Sequence, residues 1–328
     1  MQTAVALIIF NRPEATARLV SSLAKAKPRR LFVIADGPRD GRAEDAEKCA
    51  ATRAVIDRID WDCELVKDYS PVNLGCGKRP HTGISRLFEQ TDRAVILEDD
   101  CVPDPTAFPF FEELLERYRD DERVMHISGR SVFPDGREGP YSYYFTRSLS
   151  CWGWATWARA WRRYDYRIAA WPELRDSPWL EDVLGDRRAV PFFRRLFDNC
   201  HAHADHISYW DQQWNFACWA NSGLGIRPYV NLIANTGFGG GATHDVQSTR
   251  LRQHYAIPAR PIGLPLRHPP RVLRDVAADR YAIDAHFTAM APELARQRAR
   301  RFLRFVQNRA RRLLTGRVRG GPAAHGGG

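Results

Sequence analysis

Up to residue 104 the chain alternates repeatedly between two periodicities. Short apolar runs, AVALIIF (4–10), LFVIAD (31–36), CELVKDY (63–69) and AVILEDD (94–100), are separated by helical patterns from about Glu14, over 43–58 and over 80–90. Such alternation predicts a parallel sheet with covering helices, an α/β architecture. Each run ends in something polar: Asn11-Arg12, Asp36-Gly37, the stretch Asn73 to Gly77, and Glu98-Asp99-Asp100. In open α/β sheets ligands bind beyond the carboxyl ends of the strands, so these four ends are expected to rim one crevice.

Past Asp104-Pro105 an amphipathic helix is expected over 106–119 and a strand at VMHISG (124–129). Nine of the ten tryptophans then fall between 152 and 219, which predicts a second, mixed half sharing the crevice. Most of these indoles are expected in the core, because large aromatics dominate burial. Trp152, Trp154 and Trp210 are the three placed in loops. Helices are expected near 188–199 and 208–221, and a strand at 226–234 that leads into GFGGGATH (237–244).

A net charge of +10 suggests nucleic acid until it is mapped. Residues 294–328 carry ten arginines, no lysine and no acid, so residues 1–293 sum to zero, which argues against a nucleic-acid partner for the globule. In the tail Phe302, Val306 and Leu313 share one helical face. Two readings stand side by side: a basic amphipathic helix on an anionic membrane surface, or a solvated tail. No apolar stretch approaches the ~20 residues of a membrane span, and no signal-peptide pattern opens the chain. Seven scattered cysteines without a C-x-x-C pair fit reduced thiols. The expected location is cytoplasmic, or peripheral on the inner face of the cell membrane.

The triplet Glu98-Asp99-Asp100 can be read three ways. Hard carboxylate oxygens suit Mg²⁺ or Mn²⁺ with open positions for phosphate. An apolar strand ending in acids also fits the Walker B pattern, but the nearest phosphate loop, GCGKR (75–79), lacks both spacing and hydroxyl. The third reading is a turn cap before Pro103.

Taken together, "LIIFNRPEAT", "VIADG", "NLGCGKRPHTGIS" and "VILEDDCVPDPTAFPFFEELL" resemble glycosyltransferases of the GT-A fold, as do "CWGWATWARAW", "YWDQQW" and "NLIANTGFGGGATH" further on. Two groups are similar: inverting bacterial enzymes of polysaccharide and lipopolysaccharide synthesis, and N-acetylglucosaminyltransferases with E-D-D in place of D-x-D. The resemblance covers roughly residues 3–250. It implies a GT-A domain over 1–250, with a nucleotide-sugar half (1–104) and an acceptor half (105–250), a C-terminal extension (251–293) and the Arg-rich tail.

By position, the resemblance implies that Phe10, Asn11 and Arg12 line the nucleotide pocket and that Asp36 accepts from the base. Asn73, Gly75 and Gly77 would bring backbone N–H groups to ribose or diphosphate, with Lys78 or Arg79 as countercharge. Asp100 would bind Mn²⁺ or Mg²⁺, Asp99 would touch ribose or the transferred sugar, and Glu98 would support both. Trp152, Gly153, Trp154 and Trp210 would face the acceptor, Asp211 would act as general base, and His244 would be a further metal or diphosphate ligand. The implied reaction is an inverting single displacement from a nucleotide sugar, a UDP-sugar by analogy, to a saccharide or glycolipid hydroxyl.

Two rival readings remain. HAHADH (201–206) matches the H-x-H-x-D-H signature of dinuclear zinc hydrolases, but that motif should follow a strand and here follows a helical pattern. A non-catalytic sugar-nucleotide binding protein is the other.

Overall fold

Apolar residues placed on both faces of successive strands force helices onto both sides of the sheet they form. In the computed structural model, which describes residues 1–237 and 255–290, four strands lie side by side. They are β1 (Ala4–Ile9), β2 (Arg30–Ala35), β3 (Glu64–Tyr69) and β4 (Arg93–Glu98). Their order is β3-β2-β1-β4, all parallel, with Leu7 paired to Val33 on one side and Leu97 on the other. The connecting helices are α1 (Pro13–Ala26), α2 (Ala43–Ile56) and α3 (Gly75–Phe88).

The period of two is visible in the core. Val5, Leu7, Ile9, Val33, Val95 and Leu97 belong to one buried cluster with Leu19, Leu23 and Phe111. Ala4, Ala6, Phe32, Ile34, Ala94 and Ile96 belong to another, with Ile84 and the tryptophan-rich segment.

The second half extends the same sheet. After β5 (Cys101–Pro103) and α4 (Ala107–Arg117) come β6 (Val124–Ser128), β7 (Tyr143–Thr146) and β8 (Trp154–Trp157). Helices α5 (Ala158–Trp161), α6 (Trp171–Leu174), α7 (Trp179–Leu184), α8 (Val190–Ala202) and α9 (Asp211–Ala220) follow. Then come β9 (Leu224–Pro228), β10 (Ile233–Asn235) and α10, a helix over 276–290. The eight-stranded order is β3-β2-β1-β4-β8-β6-β9-β7, and β10 pairs antiparallel with β5.

The second half is mixed, as expected: β8 runs antiparallel between β4 and β6, and β7 antiparallel to β9. Expectation and structure differ at two places. The single strand expected over 226–234 is two strands in different sheets, and Asn231 between them turns its amide to the carbonyls of Ile233, Ile257 and Pro258. Helix α3 begins five residues before the expected position and carries Pro80 inside it. Its start is held from another strand, as described below. His244 and residues 294–328 lie outside the described residues. Among the described residues no helix is long and apolar enough to cross a membrane.

Candidate active site

Strand β4 ends at Glu98 and the backbone turns at once through Asp99 and Asp100. Arg12, at the start of α1, reaches both: its Nη1 donates to Asp99 Oδ1 at 3.0 Å and to Asp100 Oδ2 at 3.1 Å. Asp99 is buried in this contact, while Glu98 and Asp100 line a cavity of about 550 Å³. Asp211 lines the same cavity from the first turn of α9, where the helix N-terminus favours an anion. Its Oδ2 accepts from Gln212 Nε2 at 2.9 Å.

The carboxylates feel one another. Burial, then Asp100, Asp99 and Asp211, push Glu98 well above the usual carboxylate range. Burial raises Asp99 to about 7 against the pull of Arg12. Cys76, also on the cavity wall, is raised to about 12 by burial and then by Glu98 and Asp211. Burial opposes it, yet Asp99 and Asp100 hold the Arg12 guanidinium above its ordinary value.

The implied base acceptor has another task. Asp36 accepts from Leu74 N and Gly75 N at 2.9 Å each, and from Asn73 Nδ2 at 3.1 Å. No side chain of its own segment caps α3, so Asp36 on the neighbouring strand end serves as the cap. The N–H groups of Leu74 and Gly75 are therefore spent on this carboxylate. Gly77 is needed for packing, since a Cβ there would overlap Ile207 O. Arg79 is buried against Ala35 O and Asp68, and Lys78 pairs with Asp205 at 3.3 Å, so neither stands as a ready countercharge.

At the end of the neighbouring β1, Asn11 Nδ2 donates to Asp45 Oδ1 at 2.8 Å, and Arg39 clamps Asp45 while lying 5.4 Å over the Phe10 ring. Bonds from Arg39 and Asn11 hold Asp45 well below the usual carboxylate range despite burial.

The Trp-rich half divides. Trp154 (0% exposed) and Trp210 (2%) are packed together with Trp161 and Trp214 beneath the cavity, which removes them from the acceptor role. Both flank polar motifs in sequence, but strand pairing of Trp154 with Ile96 and Ser128 turns it inward. Trp152 does line the cavity. Gly153 supplies a left-handed turn (φ +65°) close to Ile233, where a side chain has no room.

The hydrolase motif lacks its strand. His201 lies in the last turn of α8, His201 Nδ1 faces Arg167 O, and Asp205 is bridged by Arg167 and Lys78. Among the described residues no three or more His, Cys, Asp or Glu side chains gather as a metal group.

Sequence reasoning missed Gly237, Arg130 and Arg227. A Cβ at Gly237 would overlap Asp100 Oδ2, so the Gly-rich segment starts hard against the carboxylate; its run of glycines was the available signal. Arg130 and Arg227, both buried, line the cavity too, and nothing in their sequence neighbourhood marks them.

No protein-family model matches the chain, and no curated protein matches it. Among solved structures, the chain is similar to a mannosyltransferase from Pyrobaculum calidifontis in complex with GDP-Man and Mn²⁺. That likeness has a TM-score of 0.43 at 14% identity and covers 90% of this chain and 76% of that one. It is also similar to mouse xyloside xylosyltransferase 1 in its apo form (TM-score 0.32, 15% identity, 66% and 80% covered). A third is UDP-glucose pyrophosphorylase complexed with UDP-glucose (TM-score 0.29, 10% identity, 48% and 77% covered).

Proposed function

We propose that the chain is a GT-A glycosyltransferase that moves a hexosyl or N-acetylhexosaminyl group from a nucleotide-diphosphate donor, a UDP-sugar by analogy, to a saccharide or glycolipid hydroxyl in cell-surface polysaccharide synthesis. One observation carries the reading. Glu98, Asp100 and Asp211, from the end of a parallel strand and a distant helix, meet Arg12 on one cavity at the sheet edge where α/β proteins bind nucleotides.

The donor set fits Mn²⁺ or Mg²⁺. These are hard oxygen ligands, and such ions are held by one or two carboxylates completed by substrate phosphates and water. Asp100 would hold the ion and Glu98 would stand behind it. A bound ion would neutralise charge on the leaving diphosphate.

The chain's own groups supply the rest. Arg12 fixes Asp99 and Asp100 in place and adds positive charge at the donor end. Asp211 takes the proton of the acceptor hydroxyl as that oxygen attacks the anomeric carbon, which inverts its configuration. Trp152 offers an apolar face on the acceptor side.

A thermal-shift panel of nucleotide sugars with and without Mn²⁺ tests the donor class, because ligand binding raises apparent stability by mass action. Asp211→Asn is expected to bind the donor as the native protein does and to lose about 10²- to 10⁴-fold in transfer. Transfer at the native rate would remove Asp211 as base, and a panel without any shift would defeat the donor assignment. Donor hydrolysis unchanged by Asp100→Asn would favour the non-catalytic reading.

A further inference from the structure

The cavity that holds the carboxylates carries the opposite charge at its other end. Arg227 on β9 (3% exposed) donates from Nε to Ser148 O at 2.6 Å and from Nη2 to Leu149 O at 2.7 Å. Its Nη1 is buried with no hydrogen-bond partner. Arg130, in the segment after β6 and 7% exposed, lies 5.0 Å over the Trp152 ring and 5.3 Å over Tyr255. His286 of α10 completes the group on the same wall, its Nδ1 3.1 Å from Tyr255 Oη.

These groups repel one another. Burial and then the charge of Arg227 lower Arg130 to about 10, and burial and then Arg130 lower His286. The acid whose charge reaches Arg227, Asp279, is already taken by Arg274, Thr146 and the Arg147 amide. An unpaired buried N–H on a guanidinium costs free energy unless an acceptor arrives.

The donor diphosphate is not that acceptor. Arg227 stands three strand positions from β4 in the order β4-β8-β6-β9, about 14 Å at ~4.8 Å per strand, and Arg12 already serves the β4 end. Beyond the arginines the cavity wall turns apolar, with Phe192, Phe193 and Leu196 from α8 facing Ile283 and Phe287 from α10. The Phe192 ring lies 5.6 Å from both His286 and Phe287, so the apolar wall begins where the basic group ends.

We propose that Arg130 and Arg227 form an oxyanion subsite for the acceptor, and that the acceptor is an amphiphile whose phosphate or carboxylate is joined to an apolar chain lying along Phe192, Phe193 and Phe287. The word acceptor rests on the glycosyltransferase reading; the oxyanion subsite and its apolar wall do not.

Isothermal titration of the full chain with farnesyl phosphate, farnesol and inorganic phosphate tests this. Farnesyl phosphate should bind, with farnesol and inorganic phosphate each at least tenfold weaker, and both Arg130→Gln and Arg227→Lys should weaken it at least tenfold. Arg227→Lys keeps the charge but also drops the bonds to Ser148 O and Leu149 O, so melting of the unliganded variants is measured alongside to separate a fold failure from lost binding. The subsite is overturned if farnesyl phosphate fails to bind or binds both variants as tightly as the native protein. Inorganic phosphate binding equally well would overturn the apolar part. UDP with Mn²⁺ should bind native protein and both variants alike; if UDP binds none of them while farnesyl phosphate does, the glycosyltransferase reading fails and the subsite stands.

Discussion

Asp36 separates two accounts of the same residue. If it reads a nucleotide base, Asp36→Asn should weaken nucleotide binding and leave stability nearly intact. The structure makes it the cap of α3, with Oδ1 receiving Leu74 N and Oδ2 receiving Gly75 N at 2.9 Å each. An amide of the same shape keeps one acceptor oxygen and turns an NH₂ group toward the other N–H. Whichever oxygen becomes the NH₂, two donors lose their acceptor, Leu74 N and Gly37 N at Oδ1 or Gly75 N and Asn73 Nδ2 at Oδ2, and each such charge-assisted bond is worth about 1.5–3 kcal/mol. Because the two contributions overlap, the expected loss is about 2–4 kcal/mol, large against a typical domain stability of about 5–15 kcal/mol. Urea unfolding followed by circular dichroism reads it as a lower midpoint with an unchanged slope. In parallel, titration with UDP and Mn²⁺ should show an affinity within threefold of the native value wherever the variant is folded. An unchanged midpoint together with lost UDP affinity would refute the capping account and restore the base contact.

Three further outcomes follow from local geometry. Gly237→Ala should weaken Mn²⁺-dependent nucleotide binding at least tenfold with little change in the urea midpoint, because its Cβ would overlap Asp100 Oδ2; native affinity in a titration would mean that Asp100 is not the ion's ligand. His126 is held neutral, its Nδ1 accepting from Trp214 Nε1 at 3.1 Å and its Nε2–H facing Ser150 O at 3.0 Å, and burial, then Arg227, lowers it to about 3. Between that value and about 6.5 only the unfolded chain takes the proton, so stability is full above pH 6.5 and falls on acidification by up to about 1.4 kcal/mol per pH unit; urea midpoints of His126→Asn across pH 4–7 should show a flatter slope, and an equal slope would refute the assignment. Removing residues 294–328 should release the protein from anionic vesicles in a sedimentation assay, and unchanged sedimentation would end the membrane-anchor reading.

What could be read from the sequence followed from local period. The β1, β2 and β4 runs announce themselves because a strand buried on both faces needs an unbroken apolar stretch, and a polar residue at its end marks the rim; β3, at the sheet edge, is half exposed and carries Glu64, Lys67 and Asp68. Glu98 and Asp100 were legible as polar groups closing a strand, whereas Asp211 was singled out only by the resemblance of YWDQQW; the structure brings all three to one cavity. Asp36 was legible only as a rim residue. Its use as a cap depends on α3 arriving beside β2, which Leu74 and Gly75 do not reveal. Trp154 and Trp210 sit among polar motifs in sequence, yet the insertion of β8 between β4 and β6 turns Trp154 inward. That insertion is a long-range pairing with no local signature.

The same insertion explains why the cavity has two electrical ends. Antiparallel β8 sets β6 and β9 on the far side of the strand that carries the acids, so Arg130 and Arg227 face the cavity from across the sheet instead of pairing with Glu98 or Asp100. Direct pairing would have cancelled both charges and left an inert buried bridge. Among the described residues Arg12, at the start of α1, is the cation that bonds Asp99 and Asp100, and the charge of Asp211 reaches Glu98. A cavity lined by acids at one end and guanidinium groups at the other suits a pair of ligands of complementary charge. In a transferase those would be a cation-bearing nucleotide sugar and an anionic acceptor, each neutralising the end it occupies.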